Sequence, residues 1–252
     1  MAGLHISFRK TRRTIVIAAI FMLAISAACR KRTNTDANSN ASSSVSAGTE
    51  QGRQQAQTLV DQARELYKND EDEKAEKILK EAIALDANNP EAHLRLGMAY
   101  AALGQKTESE DEYKKAIELY KKKVQDDAKD GNSFFYLGEA HNFLHQDEDA
   151  VRAYRQATKL KPEDEEAWYQ LGMAETKLAH YAEAITAFQK ALELDANDYR
   201  ATDGLDNAKE GAQRIREGRK HNEEMLKQQS NANANVNSNS NPGLKPQPKR
   251  TP

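Results

Sequence analysis

Apolar and small residues recur at steps of three and four through the middle of the chain, interrupted at regular intervals by short polar stretches. In "AWYQLGMAETKLAHYAEAITAFQKALELD", residues 167–195, Trp168, Leu171 and Gly172 are followed at helical spacing by Ala184, Phe188 and Ala191. No glycine or proline stands between Gly172 and Ala191. The pattern predicts two helices packed face to face, with Gly or Ala where the backbones approach and a large ring filling the space beside them. Two helices of about 14 residues each cannot cover both apolar faces, so further pairs must stack alongside.

The chain supplies those pairs. Gly138 lies 34 residues before Gly172, and Phe134, Leu137, Ala150, Tyr154 and Ala157 match Trp168, Leu171, Ala184, Phe188 and Ala191 in spacing. Gly97 is followed in the same way by Ser109, Tyr113 and Ala116, and a weaker copy runs from Ala63 through Ala75, Leu79 and Ala82. The interval from Gly97 to Gly138 is 41 residues, one period plus seven. Seven residues are nearly two helical turns, so the insert lengthens a helix without rotating its apolar face. Tyr113, Ala116, Ile117, Tyr120, Val124 and Ala128 carry the stripe onward, and Gly131 is a stop signal. The second repeat is therefore expected to own an overlong second helix ending near Ala128, either as simple length variation or as a projecting docking element.

This 34-residue helix-turn-helix period, with its W-x2-L-G start and later Ala and aromatic positions, resembles the tetratricopeptide repeat family. The resemblance places four repeats at 56–89, 90–123, 131–164 and 165–198. Departures are Gln62-Ala63 in the first copy, Ser109 in place of Ala, and Glu175 in place of Tyr. Only Pro162 keeps the proline near a repeat's end. The implied fold is all-α, a right-handed superhelical solenoid. Ala201, Leu205, Ala208, Ala212 and Ile215 then form one apolar stripe, as expected of a C-terminal capping helix over 199–229.

The ends read differently. Residues 1–29 hold a basic start (Arg9, Lys10, Arg12, Arg13), an apolar run from Ile15 to Ala28, and the chain's one cysteine, Cys29. The run is short for a bilayer span and fits a secretory signal. A cysteine directly after "ISAA" resembles the lipobox of bacterial lipoproteins, which implies lipidation of Cys29; Ser26 stands where that motif usually has Leu. The alternative is an uncleaved anchor stopped by "RKR" at 30–32. Either way the chain is expected at a bacterial cell envelope, tethered and facing the periplasm or the exterior. Residues 30–55 and 230–252, rich in Asn, Ser, Ala and Pro, are expected to be a disordered linker and tail.

Charge sharpens the functional reading. Lys and Arg against Asp and Glu count 8 and 2 over residues 1–55, 19 and 31 over 56–198, and 10 and 6 over 199–252. A repeat body near -12 argues against nucleic acid. No Gly-rich phosphate loop or nucleophile elbow is present, no cofactor is implied, and the expectation is a protein without catalysis. His141 and His145, four apart, could face one metal, but a site needs more ligands than two, so no metal is expected.

What remains is surface. In the resembled family the first helix of each repeat lines a concave groove, which implies partner-binding positions at Leu94, Met98, Phe135, Glu139, Tyr169 and Met173, with Val60 and Arg64 in the weak copy. Members that clamp a terminal carboxylate place Lys, Arg and Asn there. These residues are mostly apolar, so the expected partner is a protein or peptide with an apolar or amphipathic segment. The reading is a membrane-tethered adaptor. A narrower alternative is a lipoprotein subunit of an envelope assembly machine, for outer-membrane protein insertion or type IV pilus secretin assembly. A third is a metal protein or enzyme using His141 and His145.

Overall fold

The computed structural model describes residues 47–239, with side-chain surroundings described to residue 233. Cys29, the leader around it and the linker up to residue 46 lie outside the described residues, as do residues 240–252. The described residues form helices joined by tight turns: α1 (Glu50–Lys68), α2 (Asp72–Leu85), α3 (Pro90–Ala102), α4 (Lys106–Asp126), α5 (Gly131–Phe143), α6 (Asp147–Leu160), α7 (Glu165–Lys177), α8 (Tyr181–Leu194) and α9 (Tyr199–Asn239). Each helix packs on the next, and α1 also meets α3, α3 meets α5, and α7 meets α9. The result is an all-α right-handed solenoid of four helix pairs.

Two local signals fix the helix pairs. The first helix of each repeat is capped by a short polar side chain that accepts backbone N–H bonds: Thr49, Asn89, Asp130 and Asp164. Each first helix then stops at a residue with left-handed backbone, Asp70 (φ 57°), Gly104 (75°), His145 (55°) and Ala179 (58°). The N–H of the following residue reaches back five positions to close the turn, as from Gln105 to the carbonyl of Tyr100 (2.8 Å) and from His180 to that of Glu175 (2.9 Å).

Inside each of the last three pairs a ring lies against a bare backbone. A Cβ on Gly97 would stand 2.6 Å from the Tyr113 ring, on Gly138 2.7 Å from Tyr154, and on Gly172 2.8 Å from Phe188. Gly204 of α9 presses on Phe188 from the next helix, at 2.5 Å. The first pair uses Ala63 and Leu79, both buried, and so reaches the same contact with smaller partners. Four apolar clusters follow one another along the stack, the last joining Ala184, Phe188 and Ala191 to Ala201, Leu205 and Ala208 of α9.

Several boundaries differ from the sequence reading. Helix α1 begins at Glu50, inside the segment expected to be a disordered linker, because Thr49 caps it and Gly48 donates to the Leu85 carbonyl at 2.9 Å. Helix α9 runs 41 residues to Asn239, past the expected end at 229. Extending an existing helix costs far less than starting one, and the first proline beyond it is Pro242. From Gln213 to Asn233 every side chain is exposed. Helix α4 has 21 residues against 14 in α2, α6 and α8, and it ends at Asp126. The extra turns place Tyr120, 1% exposed, in a stack on Tyr136 of α5 with ring centroids 5.8 Å apart and Val124 half-buried beside that cluster, while Lys121, Lys122, Lys123, Gln125 and Asp126 are exposed.

Candidate partner-binding surface

The first helices and the start of α9 present one continuous face. Along it runs a ladder of polar residues at the second position of each repeat and of α9: Gln57, Glu91, Asn132, Glu166 and Arg200, spaced by one period or by one period plus the insert. Glu91 holds two cations, Arg64 at 2.5 Å and Arg95 at 3.5 Å. At the other end Arg200 pairs with Glu166 (3.0 Å), Asp198 (3.1 Å) and Glu165 (3.8 Å), and its guanidinium sits 4.5 Å above the Tyr169 ring. Arg95 likewise covers the Tyr136 ring at 5.7 Å and donates to Met98 Sδ at 3.5 Å.

The six residues expected to line the groove fall into three groups. Leu94 is a correction: it is 0% exposed, closed into a cluster with Tyr113, Tyr120 and Leu137, and cannot touch a partner. The physical reason is packing within the stack, since this position of α3 closes against α4 and α5 and not onto the open face. Val60, its counterpart in the first repeat, is also buried. Phe135 and Tyr169 are half-buried and split between roles, Phe135 packing on Tyr154 at 5.8 Å and Tyr169 on Phe188 at 6.0 Å while their outer edges stay open. Met98, Glu139 and Met173 remain on the surface, with Met173 at 37% exposure.

On the first helices Arg64 Nε, Arg95 Nε, Glu139 Oε2 and Glu165 Oε1 are buried without a hydrogen-bond partner in the protein, and on the second helices so are Asp147 Oδ1 and the hydroxyls of Tyr113, Tyr120 and Tyr154. Buried polar groups are nearly always bonded, to protein or to ordered water, so these atoms retain capacity for a bond that the protein itself does not supply. Burial pushes the Glu139 carboxyl up to about 7; Arg95 works against that rise, and Glu166 and Glu91 add to it. Burial also raises the Tyr154 hydroxyl far above its usual range. Glu165 is pushed up to about 7, first by burial and then by Asp198 opposite it. Burial opposes ionisation of Asp198 too, but the bonds from Arg200 outweigh it and hold this carboxyl low. The bonds from Arg200 thus make Asp198 the stronger acid of the two and Glu165 the weaker.

The histidine pair has structural roles. His141 is buried and its Nδ1 bonds Gln146 Oε1 at 2.6 Å, while His145 occupies the left-handed turn position. Among the described residues no group of three or more His, Cys, Asp or Glu is placed to hold a metal. Glu175, the departure at a Tyr position, is 1% exposed and bonded by Arg155 and by His180 at 3.0 Å, so it ties α6 to α7 and its own turn.

Sequence reasoning missed Glu91, Arg95, Tyr136, Glu166 and Arg200. The polar ladder at the second repeat position was available as a signal. Which arginine would close on which carboxylate was not.

A stack of such helix pairs with an open inner face is a protein-protein interaction scaffold. The chain belongs to the tetratricopeptide repeat family: models described as "Tetratricopeptide repeat" match residues 90–163 and 165–198, and one described as "TPR repeat" matches 63–104. No curated protein matches the chain. Among solved structures, pilF of Pseudomonas aeruginosa is similar with a TM-score of 0.52 at 18% identity, over 66% of this chain and 73% of that one. A MamA protein gives 0.46 at 23% identity, over 77% and 99%. YrrB, described as a TPR protein with an unusual peptide-binding site, gives 0.40 at 24% identity, over 61% and 84%. At these identities the likeness to pilF speaks for the fold.

Proposed function

We propose that the chain is an adaptor tethered to a bacterial envelope membrane, taking a segment of a partner protein on its inner face without chemistry at that face. The observation that supports this most is the set of unbonded polar atoms on the first helices, Arg64 Nε, Arg95 Nε, Glu139 Oε2 and Glu165 Oε1, all on half-buried residues that a bound segment can approach. Beside them Met98, Met173 and the open edges of Phe135 and Tyr169 offer soft apolar contact. Both kinds of surface together suit an amphipathic segment. The tether rests on the sequence before the repeats: basic start, apolar run and Cys29.

A photo-crosslinking residue at Met98 or Met173 in native membranes is expected to give one discrete adduct, absent when it replaces the exposed Lys190 of α8. Equal labelling from both sides would overturn the inner-face reading. Cys29→Ala should abolish lipid labelling and leave an unprocessed precursor, and labelling that persists would exclude the lipoprotein form of the tether.

A further inference from the structure

The inner face is electrically uneven. Arg64 and Arg95 are both committed to Glu91, and Arg200 is committed to Asp198, Glu166 and the Tyr169 ring. Between these two knots stands Glu139, near the middle of α5, and no ion pair or hydrogen bond reaches it. Its Oε2 is cut off from solvent and the neighbouring Tyr154 hydroxyl is equally unbonded, yet the residue as a whole remains partly open. A carboxylate in that position is a strong acceptor without a donor, and among side chains only a cation supplies both the donor and the balancing charge.

We propose that Glu139, with Tyr154 beneath it and Glu166 beside it, is a receptor for one cationic side chain, Arg or Lys, carried by the segment that binds the inner face. The inference rests on the inner-face reading and deepens it, naming the chemistry at one position of the partner. A partner with a lone basic residue on its apolar side would be selected, since a neutral residue there leaves Glu139 unbonded and an acidic one is repelled by Glu139, Glu166 and Glu91 together.

Proton linkage accompanies binding. The groups facing Glu139 are Glu91 and Arg95 on α3, Tyr113 and Tyr120 on α4, Tyr154 on α6 and Glu166 on α7. In the free protein burial holds much of Glu139 protonated at neutral pH. A bound cation displaces that proton, so affinity for a cationic segment rises as pH increases through 7 and levels off above it.

The test uses the full-length chain in detergent and a panel of short amphipathic peptides differing at one central position: Arg, Lys, norleucine, Gln or Glu. The Arg or Lys peptide should bind about tenfold tighter than norleucine at pH 8, with the advantage shrinking at pH 5.5. In Glu139→Gln the advantage should vanish while the norleucine peptide binds as before. The carboxyl carbon shift of Glu139, followed by NMR in the unmutated chain, should show its titration moving to lower pH with the Arg peptide and not with norleucine, a readout independent of any variant's folding. Arg and norleucine binding equally, or a preference that survives Glu139→Gln, overturns the cation receptor and leaves the inner-face reading standing. Should no peptide bind, with the crosslinker at Met173 capturing none, both fall.

Discussion

The seam inside each helix pair and the inner face that the first helices share are built to opposite rules. In the seam a ring meets a glycine with no room for one more carbon, as Phe188 does against Gly172 on one side and Gly204 on the other. On the inner face, a few residues away on the same helices, carboxylate and guanidinium atoms are buried without partners. One helix thus buries apolar residues to hold the stack together and, a few residues away, leaves polar atoms without a partner in the protein. The contrast separates residues whose loss unfolds the protein from residues whose loss steadies it.

The largest expected effect tests the seam. Phe188→Ala should cost about 3–5 kcal/mol, because it opens a cavity against two glycine backbones at once. Gly172→Leu approaches the same contact from the other side and should cost about 1–3 kcal/mol by overpacking. Chemical denaturation of both variants measures this, and a Gly172→Leu protein as stable as the parent would mean the seam is looser than its geometry.

The inner face should respond with the opposite sign. The folded state holds Glu139 at about 7 against an ordinary 4.5, so its contribution to stability is complete below pH 4.5 and is lost as pH rises through 7. Glu139→Gln should therefore gain up to about 3 kcal/mol at pH 8 and almost nothing near pH 4.5. A gain independent of pH would show that ionisation is not the source. Tyr154 sits on the boundary between the two regions, with its ring in the seam and its hydroxyl beneath Glu139. Tyr154→Phe should be neutral or gain up to about 1 kcal/mol, since the lost hydroxyl makes no bond, and a loss larger than that would reveal a bonded water.

The smallest effect lies in the turns, which belong to neither region. Ala179 adopts φ 58° where the second repeat has Gly104 at 75°. Ala179→Gly should gain a few tenths to about 1 kcal/mol, the relief of left-handed strain less the added chain entropy. A thermal melt in parallel with Gly104→Ala, which should lose a similar amount, calibrates the turn against the seam.

Much of the scaffold was legible in the chain because a repeat writes the same constraint several times. The spacing from Gly97 to Tyr113, Gly138 to Tyr154 and Gly172 to Phe188 is a constant 16 residues, and a ring at that distance from a glycine has one place to go. The insert was legible too, since seven residues preserve the phase of a helix. Its destination was not. Whether Tyr120 swings out or folds onto Tyr136 depends on the space left by α5, and only the packed structure shows Leu94 closed into the same cluster and out of the groove. The start of α1 was missed because "AGTEQG" has linker composition, and only the bond from Gly48 to Leu85 shows why a helix begins there.

The sequence by itself determined the period, the helix pairs, the ring-to-glycine seams and the acidic balance of the repeat body, because these follow from spacing along one chain. Only the tertiary structure decided the inner face. Glu91 could have paired with either arginine and took both, Arg200 gathered three carboxyls around itself, and Glu139 was left between them with no cation. Such outcomes depend on distances between residues one or more periods apart, which sequence spacing does not fix, and on the water excluded when neighbouring helices close over them.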